Sequence, residues 1–91
     1  MDISNPAYSY KQISASTNVK PASGMLGGIF VSAASNTPQI TVYDSASTGT
    51  GTTIIAQITP VAATWYPMPF AFSSGCYVVI GGTVQCTVAV A

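Results

Sequence analysis

Histidine, glutamate and arginine are absent from these 91 residues, and only Asp2, Lys11, Lys20 and Asp44 carry charge. Charged side chains make up 4% of the chain, against about 25% in ordinary soluble domains. Each absence excludes something. Without histidine no side chain titrates near neutral pH, so general acid–base catalysis has no natural agent. A Ser, Thr or Cys nucleophile would have no base to activate it. Two lysines are too few to neutralise a phosphate track, so nucleic acid is not an expected partner. Two cysteines without histidine fall far short of a zinc site. No apolar run of roughly 18 residues occurs, so no membrane-spanning helix is expected. The opening MDISNPAYSYKQ has no apolar core of a secretory signal, so synthesis and folding in a cytoplasm are expected.

What is present is apolar and β-forming. Residues of hydrophobic type make up 48% of the chain, which separates it from disordered chains, poor in aliphatics and rich in charge. Gly, Pro, Asn and Ser clusters divide it into short runs of Val, Ile, Thr and aromatics, the pattern of an all-β sandwich or barrel. Candidate strands are Tyr8–Ser16, Met25–Ala33, Gln39–Tyr43, Thr53–Thr59, Tyr66–Phe72, Cys76–Ile80 and Thr83–Val90. One domain over residues 1–91 is expected, with Met1–Ala7 as an arm that grips a neighbour or frays.

Alternation assigns the faces. TVQCTVAV puts Val84, Cys86, Val88 and Val90 on a core face, and Gln39–Tyr43 turns Ile40 and Val42 inward. In Thr53–Thr59, period two places Ile54, Ala56 and Ile58 inside and Ile55 outside. MLGGIFV divides into Met25, Gly27, Ile29 and Val31 against Leu26, Gly28 and Phe30. Both sets are apolar, so this strand is central or half-covered by a partner.

WYPMPFAF carries four aromatics and two prolines in eight positions, Trp65 to Phe72. As a strand it sets Tyr66, Met68, Phe70 and Phe72 on the core face. Pro67 and Pro69 delete two N–H donors from one lateral edge, which marks an edge strand protected from further pairing.

Gly81–Gly82 reads as a tight hairpin turn. A two-residue loop would aim Cys76 and Cys86 at opposite faces, and a three-residue loop would leave them out of register. In both cases the thiols are expected free. Asp44, beside SASTGTG, is expected to cap that turn through backbone N–H groups.

The segments MLGGIFV (Met25–Val31), QITVYDSASTGTG (Gln39–Gly51) and GCYVVIGGTVQCTV (Gly75–Val88) carry a resemblance. From Ser23 onward the chain resembles small tailed-phage virion proteins, in particular capsid decoration (cement) proteins. The resemblance implies a single antiparallel β-sandwich, jelly-roll-like, with about seven or eight short strands. It also implies a homotrimeric protein of the virion exterior, made in the host cytoplasm, whose partners are the major capsid protein and copies of itself. It brings no catalytic, cofactor or metal residue. Neck, tail or baseplate placement is the alternative.

Partner contacts are expected at Tyr8, Tyr10 and Trp65, whose rings pair an apolar body with a polar tip, and in the arm. A glycan-binding module is the reading from another class, with Trp65, Tyr43 and Tyr77 as stacking rings; the shortage of Asp, Glu, Asn and Arg weighs against it.

Overall fold

The computed structural model describes residues 8–47 and 52–91, so the arm Met1–Ala7 lies outside the described residues. The architecture is all-β and antiparallel. Among the described residues six strands run in order: β1 (Ser9–Ile13), β2 (Thr17–Lys20), β3 (Gly24–Asp44), β4 (Thr52–Ile58), β5 (Thr64–Phe72) and β6 (Cys76–Val90).

A single long antiparallel pair, β3 with β6, organises everything else. Its first half joins Leu26–Ser35 to Thr83–Val90, flanked by β1 on β6 and β5 on β3. Its second half joins Gln39–Tyr43 to Tyr77–Gly81, flanked by β2 on β6 and β4 on β3. Leu26, Ile29 and Val31 of the first half and Ile40, Val42 and Val78 of the second are fully buried, and all belong to one core cluster. No helix is present among the described residues to cover either half. The two halves therefore cover each other, which makes the fold sandwich-like. Wrapping a long antiparallel pair on itself is compatible with a jelly roll.

The fold-over explains the first correction. Gly81–Gly82 does not close a hairpin; it lies inside β6, opposite Gln39 and the bend of β3. Asn36 and Thr37 take left-handed backbone at φ 57° and 53°, and Gly82 answers with φ 70°. A Cβ on Gly82 would collide with the carbonyl oxygens of Asn36 and Thr37, so both strands turn the corner only where one lacks a side chain. Met25–Ala33 and Gln39–Tyr43 thus become one strand, as do Cys76–Ile80 and Thr83–Val90. Conversely, Tyr8–Ser16 stops at Ile13, crosses to the other half and resumes as β2. Ser16 Oγ accepts the Ile80 N–H at 3.0 Å and ties down the crossing.

Both cysteines are free and buried, as expected, but the hairpin register invoked for them does not exist. Cys76 lies opposite Lys20, and Cys86 lies between Ile13 and Val31. They stand on opposite halves of the bent strand, and facing sheets lie ~10 Å apart, beyond the ~7 Å limit for bridging Cα atoms. Burial pushes both thiols up to about 11, with the Asp44 charge adding to the effect at Cys76.

Bulges account for the other corrections. Leu26 pairs with Val90 and Gly28 with Ala89, so β3 spends an extra residue at Gly27. That flips the phase: Leu26 joins Ile29 and Val31 in the core, and Met25 is exposed. In β4 the register passes from Ile40–Ile58 to Val42–Ile55, which turns Ile55 toward the core and leaves Ala56 exposed. The alternation of β6 holds, with Val84, Cys86, Val88 and Val90 buried. So does the edge position of β5, which among the described residues pairs only with β3. Met68 and Phe72 are buried there, but Phe70, expected in the core, is 47% exposed on this edge strand.

Asp44 caps a different turn from the one expected. Its carboxylate accepts the backbone N–H groups of Ser73, Ser74 and Gly75 and the Ser73 hydroxyl, between 2.7 and 3.2 Å. These bonds, led by the Ser73 and Ser74 N–H groups, lower its pKa from 3.8 to about 2.

Candidate partner-binding face

The face of the first half that points away from the core is built in cross-strand rows. One row runs Tyr10, Ala89, Gly28, Pro67, and the next runs Gln12, Thr87, Phe30, Trp65. Directly opposed residues project to the same side, so each row presents its side chains together. A third row places Met25 between Ala91, to which it is hydrogen-bonded in both directions, and Ala71.

The two glycines of the bulge shape this surface. A Cβ on Gly28 would come within 2.5 Å of Trp65 Cη2, and one on Gly27 within 2.8 Å of Tyr8 Cε1. The Trp65 and Tyr8 rings therefore lie directly on the backbone of β3, at a distance only glycine permits. The Tyr8 hydroxyl donates to Met25 Sδ at 3.6 Å, which holds that ring beside the thioether.

Tyr8, Tyr10 and Trp65, singled out in the sequence, thus come together on one face around Gly27–Gly28. Trp65 is 50% exposed and Tyr10 74% exposed. Met25 and Phe30 belong to the same surface and are also exposed. Sequence reading missed them as contact residues, because the bulge decides the side of Met25 and the register decides that Phe30 sits opposite Trp65. None of Lys11, Lys20 and Asp44 belongs to these rows.

The three rings proposed for sugar stacking are not brought together. Tyr43 and Tyr77 oppose each other in the second half, half-buried, while Trp65 stands in the first.

Among the described residues no group of His, Cys, Asp and Glu is placed to hold a metal ion, and no helix is long and apolar enough to cross a membrane. No protein-family model, no curated protein and no solved structure matches this chain.

Proposed function

We propose that this protein is a non-enzymatic structural component of a tailed-phage particle, which binds the outer capsid surface as an oligomer and reinforces the head. The observation that carries the proposal is the uncharged apolar face formed by Tyr8, Tyr10, Met25, Phe30 and Trp65. The resemblance of Met25–Val31, Gln39–Gly51 and Gly75–Val88 to decoration proteins supplies the setting.

Magnitudes favour an assembly over a single copy. Large side chains bury 150–250 Å² each, so five roughly half-exposed ones offer on the order of 500 Å². At about 25 cal/mol per Å², covering that face contributes ~12 kcal/mol before costs. Association costs ~4–15 kcal/mol, which leaves one copy marginal. Linked copies raise the effective affinity by ~10²–10⁴, so an oligomer, a trimer at three-fold positions, makes the contact secure. A surface without charges at its centre needs no ion desolvation on docking.

The test is co-sedimentation with expanded capsids that lack the protein. Replacing Trp65 and Tyr10 together by Ser should reduce occupancy at least ~10-fold, equivalent to ~1.4 kcal/mol, with an unchanged circular dichroism spectrum. Full occupancy by the double variant would reject this face as the contact. Density confined to neck, tail or baseplate would favour the second placement.

A further inference from the structure

We infer that the protein carries a second site, adjoining the apolar face at Phe30, that binds an uncharged glycan in a groove at the point where β1 leaves β6. β1 pairs with β6 only as far as Ile13 opposite Cys86, and β2 resumes the pairing at Val78. Between these points β6 has no strand neighbour on that side among the described residues. The departure opens a depression of about 280 Å³ lined by Gln12, Ser14, Ser32, Gln85 and Thr87, with Ile13 and Cys86 also contributing.

The lining specifies the ligand. All five polar side chains are neutral, and none has a hydrogen-bond partner elsewhere among the described residues. Two primary amides and three hydroxyls each offer both donor and acceptor capacity, which is what vicinal sugar hydroxyls need. Lys11 adjoins Gln12 in sequence but projects to the opposite side of β1, opposite Val88, so no cation in this row favours an anionic ligand. Phe30 lies opposite Thr87 in the row that begins at Gln12, and it is 40% exposed. Its ring supplies an apolar border against which the C–H face of a pyranose can rest. The volume is at the lower end of the usual range of ~300–1,000 Å³, which suits one or two sugar units and not a long chain. Covalent capture is excluded as the role of the groove, because Cys86 is 3% exposed and its thiol is held up at about 11.

This site rests on different residues from the three hypothesised in the sequence: neither Tyr43 nor Tyr77 takes part. Its polar lining is distinct from the five contact side chains, although Phe30 borders both and Gln12 shares its row.

The experiment is an amide-detected NMR titration of the full chain with maltotriose, cellotriose, chitotriose and mannotriose, with sialyllactose as the anionic comparator. At least one neutral trisaccharide should shift the side-chain amides of Gln12 and Gln85 with a Kd on the order of 1 mM, ordinary for so small a site. Gln12→Ala with Gln85→Ala, both exposed positions, should weaken binding about 10-fold or more and leave the remaining spectrum in place. Phe30→Leu should weaken it as well. The inference is overturned if no neutral trisaccharide produces saturable shifts, or if binding survives the double variant undiminished. Shifts that map to Tyr43 and Tyr77, or equal binding of sialyllactose, would overturn it too. The titration uses the isolated chain without capsids, so its outcome is read separately from that of the decoration reading.

Discussion

The Asp44 carboxylate accepts the Ser74 backbone N–H at 2.7 Å across 30 residues of chain. One side chain at the end of β3 thereby fastens the turn that joins β5 to β6. Its folded pKa of about 2 lies below the ordinary 3.8, so the contribution has a definite sign. It is fully present above about pH 4 and is lost as pH falls through about 2. Asp44→Asn should lower the melting temperature at pH 7 and flatten the acid limb of stability between pH 4 and 2. Parallel acid limbs in the two proteins would reject this assignment.

The corner of the long strand pair depends on Gly82. Gly82→Ala forces a side chain onto a positive φ and against two backbone carbonyls, a cost of ~1–3 kcal/mol. At Gly81 the added Cβ meets only the flexible Gln39 side chain, closest at 2.9 Å, so Gly81→Ala should cost less than about 1 kcal/mol. Urea unfolding measures both, and equal losses would contradict the bend.

The bulge at Gly27 predicts an inversion between neighbours. Leu26→Ala, at a fully buried site, should cost ~2–5 kcal/mol, whereas Met25→Ala should stay within about 1 kcal/mol. An unbulged strand would not put Leu26 on the face of Ile29 and Val31, so comparable losses at the two positions would place the register elsewhere.

Thiol reagents should find Cys76 and Cys86 inert in the native protein and both titratable after unfolding without reductant. Burial and the upward pKa shifts leave little thiolate at pH 8. A mass two units lower, as a disulfide would give, contradicts the free thiols.

These contrasts mark what the sequence could convey. Strict alternation in Thr83–Val90 identified its core face, and Pro67 and Pro69 identified an edge, because both signals are local. The bend was hidden, since a Gly-Gly pair flanked by β-formers is also a mark of a tight hairpin. What distinguishes the two is a second turn signal, Asn36–Thr37–Pro38, standing opposite it in register. Bulges escape period-two reading altogether, so Met25, Leu26 and Ile55 were assigned to the wrong phase. The partners of Asp44 lie 29 to 31 residues away, and no local rule reaches that far. On the candidate face, Tyr8, Tyr10 and Trp65 were legible as amphipathic rings. Their convergence on Gly27–Gly28 depends on three strand registers at once.

An electron cryomicroscopy map of the particle that encodes this protein is the decisive test of the proposed place on the outside of a capsid. Density of this fold is expected on the outer shell, with the Tyr8–Tyr10–Trp65 face against the capsid or a neighbouring copy. A shell without such density, or density with that face turned to solvent, would contradict it.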